Sequence, residues 1–375
     1  MGCVSRLSRT SGWLAVGLIS IVLPSGALAQ SSIGRAANAA TGQSLRDAVE
    51  QQQSEFLGTY GVGGGTSGSI GAGASPTGRL RSSDHDALKL QSPPDDGNFA
   101  WKTKEGSVFG TGVYTLPGTV LGGQMKVSIF GGNNWLSLEL KEGGGNTFSA
   151  DQFGKARNES VIVGGTALWS QKNTYVLTSI VGMWGDTSLT DSIDDCGLGG
   201  PPDCAVHRYN YNTSGFIGTL TAGQVFPLSK SPSGPMLDLR GSISYTQNIG
   251  DSFLQDNALL PDVHHLQKYK FSVWTATAGV TLYNNITLQN SALLRPYIQG
   301  YVRQEIAYRN KLYADLEGPT PPDLVHWDQA HTYGGVDVGA TYALGNMTLG
   351  AAAYLDGSAD ERTFGGRLGA SWKLN

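Results

Sequence analysis

The stretch Met236-Leu-Asp-Leu-Arg-Gly-Ser-Ile-Ser-Tyr245 decides the fold of this chain. Successive side chains of a strand point to opposite faces, so Leu237, Leu239, Ile243 and Tyr245 share one face. Asp238, Arg240, Ser242 and Ser244 share the other. A single segment of this kind fits a half-buried strand in a soluble sheet. Here the alternation recurs to the end of the chain. Leu294, Ile298, Val302 and Ile306 oppose Arg295, Tyr297, Gln299, Tyr301, Arg303 and Glu305. Phe364, Leu368, Ala370, Trp372 and Leu374 oppose Arg367, Ser371 and Lys373. Repeated alternating segments of roughly ten residues, with apolar side chains outward and polar ones inward, predict a transmembrane antiparallel β-barrel. The fold class is all-β.

Strand signals fall near 107–115, 119–130, 134–141, 160–170, 173–186, 207–227, 236–248, 268–283, 293–308, 331–344, 347–356 and 362–374. Twelve strands are expected. Tight connections at Gly131–Asn133, Gln171–Lys172 and Gly345–Asn346 and moderate ones at 229–235 and 284–292 alternate with long polar ones. The long ones are 142–159, 187–206, 249–267 and 310–330, with short outer exceptions at the first hairpin and at Ala359-Asp360. Barrel loops sort by length in this way when one end faces the periplasm and the other the outside.

The N-terminus carries Arg6 and Arg9, an apolar run from Trp13 to Leu23, and Ala27-Leu28-Ala29 before Gln30. A basic region, a short apolar region and an Ala-x-Ala site predict a secretory signal over residues 1–29, cleaved after Ala29. Cleavage removes two arginines and no acids, taking the formal charge from −4 to −6. The remainder has no run of 18 or more apolar residues, so no membrane-spanning helix is expected. The acidic balance and the lack of a basic stripe argue against nucleic acid. The 53 glycines exceed the usual ~7% and suit turns, strand bends and close approaches.

Residues 30–100 read as an extension, and residues 101–375 as the barrel. Ser44 caps an expected helix over 45–57, which Gly58 ends. A Gly/Ser-rich linker follows at 60–78, then a shorter helical candidate at 84–91 before Pro93-Pro94. The helix over 45–57 is the preferred occupant of the lumen; 84–91, or a free tether, is the alternative. Cys3 leaves with the signal. Cys196 and Cys204 flank a Gly/Pro-rich segment of an exported chain, which predicts a loop-stapling disulfide rather than a metal site. The charged residues Asp238, Arg240, Arg295, Arg303, Glu305 and Arg367 are expected to line the lumen, as a conduction path, a salt-bridge network or a plug seat.

Other chemistry is weaker. Gly250-Asp-Ser252-Phe253 and Asp323-Leu-Val-His326 look like the blocks of a GDSL-type lipase, but no oxyanion-hole block lies between them. Adjacent His264 and His265 would face opposite sides of a strand and read as a solvated loop mouth. Acidic clusters at Asp191, Asp194, Asp195 and Asp203, and at Asp315, Glu317, Asp323 and Asp328, lack the spacing of a Ca²⁺ loop. No cofactor or metal is expected.

The segments Pro235–Tyr245 with Asp251-Ser252-Phe253, Leu294-Arg-Pro-Tyr-Ile-Gln-Gly-Tyr301 and Gly365-Gly-Arg-Leu-Gly-Ala-Ser-Trp372 resemble the autotransporter β-domain family over the C-terminal two-thirds of the chain. The resemblance implies a twelve-stranded barrel in a Gram-negative outer membrane, its lumen holding an N-terminal helix. The short region before the barrel leaves room for little or no passenger domain. The expected role is a surface anchor or translocation and display unit, not an enzyme; a porin-like solute channel is the alternative, and a GDSL-like hydrolase the remote one. Expected partners are outer-membrane lipid and lipopolysaccharide, the barrel-assembly machinery and periplasmic chaperones, with the barrel a monomer.

Overall fold

The computed structural model describes residues 25–60, 70–83, 98–143, 153–193, 205–230, 234–257, 260–315, 326–327, 331–358 and 361–374. Twelve antiparallel strands form the wall: β1 Ile70–Ser83, β2 Asn98–Thr115, β3 Gln124–Gly143, β4 Phe153–Gln171, β5 Thr174–Ile193 and β6 Ala205–Pro227. They continue as β7 Met236–Asn257, β8 Leu260–Tyr283, β9 Leu293–Asp315, β10 Thr332–Leu344, β11 Met347–Gly357 and β12 Glu361–Leu374. Two-residue pieces at Ile286–Thr287 and His326–Trp327 add to β9. Each strand pairs with its sequence neighbours, and β1 pairs with β12 from Ile70↔Leu374 to Ser83↔Glu361. The sheet therefore closes on itself and has no free edge, which is how a β-structure satisfies its backbone in lipid.

Face assignment follows the sequence alternation. On β7, Asp238, Ser244, Thr246 and Asn248 are buried while Leu239 and Ile243 are exposed. On β9, Ile298, Val302 and Ile306 are exposed, whereas Gln299, Arg303 and Glu305 are buried. Exposed apolar side chains circle the wall, with Ile129 72% and Ile180 64% accessible. A surface so apolar suits lipid rather than water.

Two strand expectations are corrected. Strand β1 lies where composition suggested a linker and a barrel starting at 101. Its sequence, IGAGASPTGRLRSS, is mostly small residues, so no alternation marks it; the register of β2 and β12 holds it instead. Signals at 119–130 and 134–141 fuse into the single strand β3, which runs straight through Gly131-Gly132-Asn133. Twelve strands emerge because one omission and one split offset each other. The expected first hairpin, after 107–115, falls in the connection 116–123 between β2 and β3, at the same end as Gln171–Lys172, and is not a short outer exception. The candidate helix at 84–91 lies outside the described residues. Strands β7 and β8 also extend into the expected loop 249–267, so only 258 and 259 separate them.

The helix differs more. Helix α1 spans Ser25–Tyr60, 36 residues, where 45–57 was expected. Ser44 is mid-helix and caps nothing; its Oγ accepts from Asn134 Nδ2 at 3.1 Å on β3. From Ala37 on, nearly every described side chain of α1 is buried, polar ones included. Leu45, Ala48, Val49 and Phe56 give it a short apolar stripe, but the rest of its buried surface is polar or charged, so periodicity marks only part of its length. It occupies the lumen.

Candidate functional site

The lumen holds α1 in layers. At one end Asn38 and Asn248 exchange hydrogen bonds: Asn248 Nδ2 donates to Asn38 Oδ1 at 2.7 Å, and Asn38 Nδ2 to the Asn248 carbonyl at 3.3 Å. Ala39 packs on Phe271 and Val273, with Tyr308 alongside. Below, Leu45, Ala48 and Val49 fill an apolar cluster with Phe109, Phe130, Ile162, Val181, Met183 and Ile217. Gln52 donates to Thr111 Oγ1 at 3.0 Å, and Gln53 to Ser179 Oγ at 2.7 Å and to Thr219. Phe56 closes the far end among Val113, Leu168, Tyr175, Leu177 and Val225, with Leu57 beside it.

The direction of α1 follows. Phe56 sits where β1 starts and β12 ends, the end with the short connections. Asn38 sits at the end with the long ones. From Asn38 to Phe56 the helix rises roughly 27 Å at ~1.5 Å per residue, close to the ~30 Å of a bilayer core. The helix therefore runs from the long-loop end at Asn38 to the short-connection end at Phe56.

The opposite face of α1 is ionic. Arg46 Nη1 lies 3.0 Å from Glu305 Oε1, and its Nε 3.2 Å from Asp47 Oδ1. Arg303 gathers three carboxylates: Asp356 at 2.9 Å, Glu50 at 3.3 Å and Asp47 at 3.5 Å. Its guanidinium also lies 4.7 Å over the Tyr333 ring. Tyr301 donates to Asp356 Oδ2 at 2.8 Å, and His331 Nδ1 is 3.5 Å from Glu305 Oε2. Helix and wall exchange charges of both signs in one network, in which the four carboxylates outnumber the two arginines.

Of the six expected lumen residues, Arg303 and Glu305 join this network directly. Arg367 donates to Asp337 Oδ2 at 2.6 Å and to Tyr297 Oη at 2.5 Å. Asp238 accepts from Tyr175 Oη at 3.0 Å. Arg295 stacks 5.2 Å from the Tyr283 ring centroid and donates to Asn285 Oδ1 at 2.7 Å. Arg240 lines two adjoining cavities beside Leu57, together with Gln299 and Arg367. Sequence reading missed Arg46, Asp47 and Glu50, the helix partners. The signal was present as Arg-Asp-x-x-Glu, charges three to four apart that share a helix face.

Cys196, Cys204 and Asp323 lie outside the described residues. Gly250–Phe253 falls in β7 at an irregularity of its register with β8, and His326 pairs backbone to backbone with Lys311 of β9. His264 and His265 are on β8, adjacent and so on opposite faces, rather than in a loop mouth.

No family model matches this chain, and no curated relative does. Solved structures do. The chain is similar to the transport unit of the autotransporter AIDA-I from Escherichia coli, with TM-score 0.60, 14% identity, and 81% of this chain and 90% of that one covered. The translocator domain of the autotransporter NalP from Neisseria meningitidis gives TM-score 0.56 at 12% identity, covering 90% and 99%. The β domain of the Bordetella autotransporter BrkA gives 0.54 at 14%, covering 82% and 100%. The chain has the fold of autotransporter translocator barrels.

Proposed function

We propose that this chain is an outer-membrane barrel of autotransporter type, acting as a surface anchor or a translocation and display unit. The observation that carries this reading is the direction of α1: it enters the lumen from the long-loop end and leaves toward β1. Anything attached ahead of the helix would emerge outside the cell, while both barrel termini face the periplasm. The ion network supports a fixed rather than sliding helix, because leaving either arginine unpaired in a buried site is costly. Export would follow cleavage of the signal after Ala29, and insertion would use the assembly machinery and chaperones that serve such barrels. This reading contains no enzymatic step.

The test is protease shaving of intact cells carrying an epitope between Gln30 and Ser31, against one in the Gly345–Asn346 turn. We expect loss of the first and protection of the second. Protection of the first tag in a folded, membrane-inserted protein overturns the reading.

The cavities beside Arg240 and Arg367 favour one second reading, a small-solute channel past the helix. Planar-bilayer conductance separates the two. An open pore that ignores removal of residues 30–60 would favour the channel. The deletion must stop at 60, since β1 begins at Ile70.

A further inference from the structure

We infer that β8 and β9 carry a binding site for the phosphates of outer-leaflet lipid A on the outside of the barrel. The inference rests on the outer-membrane reading above and names a ligand site within it. Residues pair across these strands as Trp274↔Ala307, Ser272↔Arg309, Lys270↔Lys311 and Lys268↔Tyr313. Trp274 is exposed and Tyr269, Phe271 and Val273 are buried, so Lys268, Lys270 and Arg309 stand in the outward register, with Lys311 the backbone partner of Lys270.

Lys270 lies directly across from Lys311. Like charges in that position repel, and sheets avoid them. Arg309 follows on the same face, which concentrates positive charge instead of dispersing it. Lys268, Lys270 and Arg309 make no ion pair with any described carboxylate; even Asp251, exposed in the β7 irregularity opposite Lys268, makes none. Arg157 on β4, by contrast, is paired with Glu159 at 2.5 Å. An unneutralised row of this kind is a seat for an anion.

Height on the barrel says which anion. The outward apolar run of β8 extends from Leu282 to Trp274, nine residues, which is what a tilted strand needs to cross a bilayer core, ~9–11. Trp274 packs 5.0 Å from Tyr245 of β7, an aromatic pair at the upper limit of that run. Arg309, and then Lys270 with Lys311, come two and four residue pairs higher, at the head-group level of the leaflet on the long-loop side. In a Gram-negative outer membrane that leaflet presents phosphorylated glycolipid. Charge-assisted bonds from Arg and Lys to phosphate oxygens are strong, and Arg can engage two oxygens at once.

The experiment counts lipids bound to the folded full-length barrel in detergent by native mass spectrometry, titrating bisphosphorylated against fully dephosphorylated lipid A. Bilayer insertion of the same preparation is checked in vesicles. We expect at least tenfold tighter binding of the phosphorylated lipid, lost in Lys270→Gln/Arg309→Gln/Lys311→Gln. Lys172→Gln/Lys230→Gln, at the opposite end, should retain it. Millimolar inorganic phosphate should not displace the lipid; if it does, the site takes free phosphate and the assignment to lipid A is wrong. Equal binding of the two lipids, or unchanged binding by the triple variant, overturns the site alone. A protein that folds but does not insert overturns the outer-membrane reading and this site with it.

Discussion

Arg46 on the lumenal helix and Glu305 on β9 meet at 3.0 Å with both side chains wholly removed from solvent. They are 259 residues apart in sequence, and among the described residues no other ion pair between α1 and the wall is shorter. Truncating one member of such a buried pair costs about 3–5 kcal/mol, since the survivor is left charged and unpaired. Glu305→Leu should therefore lower the denaturant midpoint of the refolded barrel sharply. Arg46→Met/Glu305→Leu together should recover much of it. Equal midpoints for the single and double variants would count against the pair as a helix anchor.

Ile243→Arg and Arg240→Leu should differ. Ile243 faces lipid near the middle of the apolar run, pairing with Ala276, while Arg240 faces the lumen cavities. A lipid-facing arginine near the midplane costs roughly 2–4 kcal/mol. The lumenal change should cost under about 1 kcal/mol, in the range of ordinary substitutions. Unfolding in lipid vesicles measures both, and a larger loss for Arg240→Leu would reverse the face assignment.

Position in the lumen can be trapped chemically. Ser44→Cys with Asn134→Cys should join through a short bifunctional thiol reagent and shift gel mobility, because the native side chains hydrogen-bond. Ala48→Cys with Arg303→Cys should not, as Ala48 packs in the apolar cluster while Asp47 and Glu50 meet Arg303. The reverse outcome would mean α1 is rotated.

Gly335→Val should destabilise the barrel. A Cβ there would lie 2.2 Å from Tyr301 Cζ, and Tyr301 is held by its bond to Asp356. Overpacking of this sort costs about 1–3 kcal/mol. Tyr301→Ala in the same chain should relieve part of the loss, a coupling that a double-mutant cycle in urea reads directly.

Cys196 and Cys204, expected to be bonded in an oxidising compartment, should yield one disulfide-linked peptide by mass spectrometry without reduction. Free thiols in protein recovered from membranes would refute it. Cys196→Ser/Cys204→Ser should leave barrel assembly largely intact.

Alternation made most of the wall readable, because on a barrel each strand carries its own two-faced code. It failed where the code was not in the side chains. In β1 only Ile70 and Leu80 are bulky apolar residues, and Pro76 lacks the N–H a strand normally offers; the ladder to β12 skips Ser75 and Pro76. In β3, Gly131-Gly132-Asn133 has turn composition, yet Gly132 stays in the strand because it passes so close to β2 that a Cβ would meet the Val108 carbonyl. The lumenal wall residues were legible as polar positions. Their helix partners Arg46, Asp47 and Glu50 were not, since they pair with wall residues far along the chain, which no local pattern marks.

The seam between β1 and β12 bears on the order of assembly. Helix α1 ends at Tyr60 and β1 begins at Ile70, so the first strand and the helix arrive as neighbours, while their closing partner is the final strand of the chain. Until Glu361–Leu374 docks, the sheet is an open trough and the helix can enter from the side. Afterwards it can move only along the axis, and Gly42, with no room for even a Cβ beside Phe271, forbids a loose passage. Enclosure of the helix thus precedes or coincides with closure, and the last strand locks in whatever the trough already holds.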